Sequence, residues 1–331
     1  MNSKATPGLV SIIVASYNHA EYLERRMDSL IAQTYPDIEI IVIDDCSPDN
    51  SLEILRKYES HPKVKLFIRE KNGGWVTVSN QGVALSSGEF IIFANCDDDC
   101  EPQCIERLVE SMHAYPSAGI AFTRSLLIDR DGSLIGNDYL IRESAFRRRC
   151  THDTLLSKNE MLRFLLWSCV IPNLSAALFR KECFTAFSGL SAEYKVCSDW
   201  DLFLKIISSF DVAYVATPLN KFRQHNTTIR SSTKDRIIYE EYIRLLLGQI
   251  KSFDLTLFEK SKFRMRVMYL WSIHLLTPSF GGVLNFQYHF LRVLHHDAVA
   301  LIYLPAALVL RLMGLMARAP VKLLRNKISL I

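Results

Sequence analysis

Apolar and polar positions follow a repeating cadence along the first third of the chain. Leu9 to Ala15 is a short, β-branched apolar run, followed by the polar turn Ser16-Tyr17-Asn18-His19 and then by Leu23, Met27, Leu30 and Ile31 at helical spacing. That pattern predicts strand, loop and helix. It returns with Ile38 to Ile43 as strand, Asp44 to Asn50 as loop, and Leu52, Leu55 and Tyr58 on one face of a second helix. Val64 to Ile68 and Phe90 to Ala94 predict two more strands, with a helix over Val76 to Leu85 between them that Gly88 closes. Strands that read as nearly continuous apolar runs and alternate with helices predict an α/β architecture with a mostly parallel sheet buried on both faces. Ligands in such sheets bind beyond the carboxyl ends of the strands. Those ends are the loops Ser16 to His19, Asp44 to Asn50, Lys71 to Gly74 and Asn95 to Glu101.

Beyond Tyr115 the pattern is mixed. Asp129-Arg130-Asp131-Gly132 sits between apolar pairs and reads as a hairpin turn. Arg142 to Asp153 is polar, Arg-rich and without period, and reads as a mobile loop. A helix is expected around Glu160 to Trp167, a strand over Ser175 to Phe179, and a helix from near Asp199 with Leu202, Phe203, Ile206 and Ile207 on its apolar face. Two strands, Val212 to Val215 and Leu219 to Phe222, lead into Arg223-Gln224-His225-Asn226. From Asp235 onward only helical periodicity remains, which predicts a helical C-terminal extension.

With 331 residues, 49% of them apolar and 22% charged, the chain can bury a full core, so disordered, collagen-like and small disulfide-scaffold classes are excluded. Eight cysteines at irregular spacings suit reduced thiols. Cys96, Cys100 and Cys104 recur every fourth residue, but no second pair or His cluster completes a zinc site. Met1 to Val10 hold one Lys and no apolar stretch of signal-peptide length, so the folded body is expected in the cytosol.

Neither G-x-G-x-x-G after the first strand nor G-x-x-x-x-G-K-[ST] occurs, so phosphates must be met in another way. Asn95-Cys96-Asp97-Asp98-Asp99 places three carboxylates and an amide directly after a buried strand. Clustered carboxylates repel unless a cation lies among them, and Mg²⁺ or Mn²⁺ is commonly shared between one or two carboxylates and substrate phosphate oxygens. Acids at the start of the helix that Pro102 opens would equally serve its dipole. Asp44-Asp45-Cys46-Ser47 is a second acidic pair at the same edge. A carboxylate there can accept from a nucleobase imide N–H while Tyr17 offers a face for stacking, or the segment is a capping turn before the Leu52 helix. Asn72-Gly73-Gly74 fits a turn. Ser198-Asp199-Trp200-Asp201 opens a helix, where Asp199 is either a first-turn acid or a general base.

Taken in order, Ser11 to Asn18, Ile43-Asp44-Asp45-Cys46-Ser47, Asn72-Gly73-Gly74, Asn80, Gly88-Glu89-Phe90-Ile91, Asn95-Cys96-Asp97-Asp98 and Ser198-Asp199-Trp200-Asp201 resemble the successive motifs of family-2 glycosyltransferases, over about residues 9 to 230. The resemblance implies a GT-A-like fold, a nucleotide-diphospho-sugar donor (a UDP-sugar above all), a divalent Mn²⁺ or Mg²⁺, and inversion at the anomeric carbon. Residues 1–230 would then be the catalytic domain, with a nucleotide-binding half over about 9–115 and an acceptor half over about 116–230, and 231–331 the extension. It also implies that Tyr17 and Asp45 hold the nucleobase, that Asn80 lies close to the nucleoside, that Asp97 is the metal-binding last acid of a D-x-D motif, and that Asp199 is the base. Asn95 replaces the first acid of D-x-D, so Asp98 or Asp99 would assist the metal. Ser198 replaces the first acid of the usual Glu-Asp. Arg223-Gln224-His225 resembles a segment near the donor diphosphate, where His225 would ligate the metal or touch phosphate, or face solvent. The Gln-x-x-Arg-Trp pattern of processive synthases does not occur, which favours transfer of a single sugar. Two rival classes are a sugar-nucleotide nucleotidyltransferase and a non-catalytic sugar-binding protein of the same fold.

The net charge of +4 is concentrated: Arg292, Arg311, Arg318, Lys322, Arg325 and Lys327 stand against Asp297 alone beyond residue 291. They are interleaved with Leu, Ile, Val and Met rather than with the aromatic residues of a nucleic-acid surface, so anionic lipid and not nucleic acid is the expected partner. Ala298 to Leu310 is free of charge, Arg311 interrupts, and Leu312 to Ala317 continues the apolar run. The length of this stretch is near the lower limit for a span, but Arg311 and Pro305 inside it favour an interfacial or re-entrant helix pair at the inner face of the cell membrane over a full transmembrane helix. A core helix of the same length is the other alternative. A lipid-linked glycan is then the expected acceptor.

Overall fold

The computed structural model describes residues 5–142, 144–225, 228–276 and 286–317. The chain divides into two compact units, the first comprising Met1–Leu162, Val170–Glu193 and Ser198–His225, the second Arg163–Cys169, Tyr194–Cys197 and Asn226–Ile331.

In the first unit ten strands form one sheet among the described residues: β1 (Thr6–Ser16), β2 (Ile38–Asp44), β3 (Val64–Ile68), β4 (Gly88–Phe93), β5 (Asp99–Cys100), β6 (Ala118–Ile128), β7 (Leu134–Asn137), β8 (Thr154–Leu156), β9 (Ala177–Arg180) and β10 (Asp211–Arg223). Their order is β3-β2-β1-β4-β9-β6-β10-β5, with β7 beside β6 and β8 beside β10. The first four strands pair in parallel, as the alternating pattern predicts. The sheet beyond β4 is mixed: β9 runs antiparallel between β4 and β6, β5, β7 and β8 are antiparallel to their partners, and β6 and β10 are parallel. Parallel pairing needs a long crossover, which the chain between β6 and β10 supplies, while β7 follows β6 by a short turn and pairs with it antiparallel.

The continuous apolar runs of the strands reflect two covered faces. Val10, Ile12, Val14, Ile40, Val42, Phe90 and Ile92 pack into a cluster with Leu23, Met27 and Leu30 of helix Ala20–Ile31 and with Leu108 and Met112 of helix Cys104–Ala114. On the opposite face Gly82 of helix Trp75–Leu85 lies so close to Ile13 that a Cβ would clash, and Phe93 packs against Phe179 and Phe184 with ring centroids 6.0 and 5.5 Å away.

Two expectations are corrected. Arg142 to Asp153 is not a loop throughout: residues Ser144–Arg149 form a short helix whose Phe146 is buried against Phe122 and Tyr214, at centroid distances of 6.3 and 5.6 Å. Arg142 is buried and paired with Asp138 at 3.1 Å. One aromatic and Cys150 four residues later are the only apolar anchors of this turn, too few to show a period. The second correction joins Val212 to Val215 and Leu219 to Phe222 into the single strand β10. Its register against β6 shifts on either side of Pro218, because proline has no N–H for the ladder and is accommodated at an irregularity.

The second unit is helical, with helices Asp235–Ser252, Leu257–Leu276, Phe286–Asp297 and Leu304–Ala317 and a 3₁₀ segment Ala298–Tyr303. Buried Trp271 stacks on Phe286 with centroids 5.5 Å apart, and Arg264 pairs with the buried carboxylate of Asp297 at 2.6 Å. Leu291, Ile302, Val309 and Met313 stay exposed. Arg292, expected to flank an anionic surface, pairs with Glu240 at 3.1 Å. Arg318, Lys322, Arg325 and Lys327 lie outside the described residues.

Candidate active site

The carboxyl ends of β1 and β2 are in register, Ser16 opposite Asp44, and the loops that follow are laced together. Asn18 and Cys46 both take positive φ, 58° and 63°, so each loop turns sharply just after its strand. Asp44 accepts from the Ser47 hydroxyl at 2.6 Å, and Ser47 Oγ in turn accepts from the Asn18 amide at 3.2 Å. Asp49 accepts from the Ala20 amide at 2.9 Å and so caps the first helix from the neighbouring loop. Tyr17, between these turns, is 43% exposed.

Asp45 is buried. Its carboxylate accepts from the Gly73 amide at 2.9 Å and the Gly74 amide at 2.9 Å and pairs with Arg69 Nε at 2.9 Å. It therefore fixes the Asn72-Gly73-Gly74 turn, where Gly74 has φ +81°. Asn80 uses both ends of its amide on one residue: Nδ2 donates to Leu190 O at 2.8 Å and Oδ1 accepts from Leu190 N at 3.0 Å.

A second group forms beyond β4. His225 Nε2 lies 2.9 Å from Asp97 Oδ2, with the imidazole tilted by 40° against the Tyr22 ring at a centroid distance of 5.3 Å. Asp98 points inward, accepting from the Arg223 amide at 3.1 Å, from Asn173 Nδ2 at 2.7 Å and from Asn95 Nδ2 at 3.2 Å. Arg223, itself buried, donates from Nε to Asp97 O at 2.6 Å and from Nη1 to Asp129 O at 2.7 Å and Arg130 O at 2.9 Å. One guanidinium thus ties the acidic loop to the hairpin turn. Asp99 is drawn to Arg25 at 2.8 Å.

The neighbouring acids are electrostatically unlike. Burial opposes charge on Asp97, but the His225 hydrogen bond and the nearby His19 and His225 rings outweigh it and hold its carboxyl below the usual carboxylate range. Burial, then the charge of Asp97, pushes Asp98 up to about 7. Of these two, Asp97 is the acid whose charged form is favoured and Asp98 the internal anchor.

The donor set offers a test of metal binding. Neighbouring ligands of an octahedral ion at 2.0–2.1 Å are separated by about 3 Å. The Asp97 oxygen and His225 nitrogen have that spacing, 2.9 Å, and both are good ligand types. Asp98, engaged by three N–H donors, and Asn95, whose amide nitrogen serves Asp98, do not share this geometry. Among the described residues no three His, Cys, Asp or Glu side chains form a preassembled cluster.

Asp199 stands in the first turn of helix Ser198–Ile206, half-buried, with Oδ1 accepting from the Trp200 amide at 2.7 Å. Hydrogen bonds join Asn95, Asp97, Asp98 and His225 into one group through Arg223, while Asp45, Asn80 and Asp199 are held by other partners and Tyr17 is exposed. Arg223 enters the sequence reading only as part of the segment that leads to His225, without a role of its own, and Asn173, which carries no signal, escapes it.

A model described as glycosyl transferase family 2 matches residues 11–184, more than half of the chain. The chain belongs to glycosyl transferase family 2. This family-2 chain is 38% identical over 132 residues to a chondroitin synthase of Escherichia coli, covering 40% of this chain and 19% of that protein. It therefore spans about a fifth of that relative's length. Among solved structures, TarS 1–349 of S. aureus in complex with UDP-GlcNAc matches with a TM-score of 0.62 at 18% identity, over 80% of this chain and 72% of that one. The mannosyltransferase PcManGT of Pyrobaculum calidifontis, in complex with GDP-Man and Mn²⁺, matches with a TM-score of 0.53 at 17% identity, over 94% of this chain and 81% of that one. These two likenesses establish the GT-A-like fold of the family-2 chain.

Proposed function

We propose that this chain is an inverting glycosyltransferase that moves a single sugar from a nucleotide-diphospho-sugar, a UDP-sugar, to an acceptor hydroxyl on a lipid-linked glycan in polysaccharide assembly. The observation that carries the reading is the Asp97–His225 pair at 2.9 Å, at the same carboxyl edge of the parallel strands as Tyr17 and Asp45. Asp97 and His225 would hold Mn²⁺ or Mg²⁺, which when bound supplies positive charge against the donor diphosphate. Arg223 keeps the Asp97 backbone in place for this. Tyr17 stacks on the base, Asp45 shapes the base pocket through the Gly73-Gly74 turn, and Asn80 acts one step further out by holding Leu190. Asp199 accepts the proton of the acceptor hydroxyl as that oxygen forms its bond to the anomeric carbon from the face opposite the breaking carbon–oxygen bond of the diphosphate. One inversion needs one carboxylate and no covalent enzyme intermediate. Incubating the full chain with a panel of nucleotide sugars and Mn²⁺, and measuring nucleoside diphosphate, tests the reading. Release from one donor supports it, and release from none overturns it.

The same proposal places the protein at the inner face of the cell membrane. Its support is the stretch His289–Met313, with a mean hydropathy of 1.7 and only 22% of its most apolar window buried, long and apolar enough by composition to enter a bilayer. The exposed Leu291, Ile302, Val309 and Met313 give an interfacial segment its apolar contact.

A further inference from the structure

Glu241 lies on helix Asp235–Ser252 and is buried, an unusual place for a carboxylate. It meets three consecutive backbone amides: Lys195 N at 2.7 Å, Val196 N at 2.9 Å and Cys197 N at 2.9 Å. Three residues further along the same helix, the Arg244 guanidinium lies over the Tyr194 ring at 4.2 Å. One helix face thus grips every residue from Tyr194 to Cys197. Consecutive amides that converge on one anion fix the φ and ψ of the segment between them, because each N–H must keep pointing at the same two oxygens. The next residues along the chain are Ser198 and Asp199.

We infer that Glu241 is a positioning residue for Asp199. The inference rests on the reading of Asp199 as the base that takes the acceptor proton. A base on the first turn of a short helix inherits its position from the chain that enters that turn, and the entering chain here has its amides held by a carboxylate 44 residues downstream of Cys197. The carboxylate neither touches substrate nor exchanges a proton in the reaction. Its work is to keep the Asp199 oxygens within proton-transfer distance, a constraint whose loss by about 1 Å can cost on the order of a hundredfold in rate.

Glu241→Gln keeps the shape and replaces one accepting oxygen by an NH₂ that faces an amide N–H. In the whole 331-residue chain the variant is expected to lose about a hundredfold in kcat with the donor KM within about twofold of wild type. Hydrogen exchange of the amides of residues 195–201 should accelerate at the same time. Ile250→Ala, which opens a cavity on the same helix nine residues from Glu241 and on the opposite side of the helix, is the control for simple destabilisation and should leave kcat within about threefold. Equal loss of kcat in Ile250→Ala and Glu241→Gln, or unchanged exchange over 195–201 in Glu241→Gln, overturns the inference. If Glu241→Gln does not fold, Glu241→Asp, which keeps both oxygens on a stem one methylene shorter, is measured with the same readouts. Wild-type enzyme that releases no nucleoside diphosphate would overturn the transferase reading itself, while exchange would still show whether Glu241 orders the segment.

Discussion

Asp97 and His225 are 128 residues apart in sequence and share a hydrogen bond of 2.9 Å, Oδ2 to Nε2. The acid comes from the loop after β4 and the imidazole from the end of β10, and Arg223, two residues before His225, grips the Asp97 carbonyl. Charge, ligand type and spacing therefore meet at one point. Asp97→Ala and His225→Ala are each expected to abolish Mn²⁺-dependent nucleotide binding measured by calorimetry, and Asp97→Ala to abolish transfer. Mn²⁺ should support activity better than Mg²⁺, since one ligand is an imidazole and Mg²⁺ prefers oxygen. Full activity in excess EDTA would refute both statements.

Asn95→Asp recreates the acid usual in a D-x-D motif, and the motif alone predicts tighter metal binding. The structure predicts a cost instead. The Asn95 amide donates to Asp98 at 3.2 Å, and a carboxylate there would face a buried carboxyl already pushed up to about 7. Losing that bond should lower stability by about 1–3 kcal/mol in urea denaturation. Tighter metal binding with no loss of stability would show that Asp98 turns away.

Asp199→Asn should leave donor binding within about twofold and reduce transfer by on the order of a hundredfold to ten-thousandfold. Nucleotide titration and circular dichroism on one sample separate this from loss of the helix start, which the Trp200 amide contact at 2.7 Å makes the competing outcome.

Glu39 gives the fold an acid sensitivity. Its carboxylate accepts from Ser11 Oγ at 2.6 Å, Ser87 N at 2.6 Å and Lys65 Nζ at 2.7 Å. Burial raises its pKa, but these bonds and the Lys65 charge together hold it below the usual value of 4.5. A depressed folded pKa means that the stabilisation is complete above the unfolded pKa and disappears as pH falls through the folded one. Glu39→Ala should therefore cost about 3 kcal/mol at pH 7, leaving Ser11 and Ser87 without their acceptor, and markedly less near pH 3. A difference that is the same at both pH values would exclude this linkage.

Phe146→Ala tests the helix that the sequence reads as a loop. Burial against Phe122 and Tyr214 predicts a loss of about 3–5 kcal/mol. At the other end of the chain, Ile302→Ser, on a side chain 75% exposed, should leave the melting temperature unchanged and weaken binding to anionic liposomes about tenfold, from the lost transfer of one aliphatic group. Unchanged liposome binding would place the apolar stretch away from the bilayer.

The alternation of apolar runs with helical faces determined the first half of the sheet, since a strand buried on both sides is nearly continuously apolar, as in Ile40 to Ile43. The order of short motifs determined the family and brought Asp97, Asp199 and His225 forward by residue type. Tertiary structure decided the rest. Whether a strand entering the far half runs parallel or antiparallel depends on which neighbour it meets: a strand over Ser175 to Phe179 is predicted, but its antiparallel place as β9 between β4 and β6 is not legible in its four residues. The motif singles out Asp97 but says nothing of the surroundings of Asp97, Asp98 and Asp99. The fold gives each its own partner, aiming Asp97 at His225, Asp98 at the buried Arg223 amide and Asp99 at Arg25. Direction and burial set the charge of an acid, and both come from partners as far as 128 residues away.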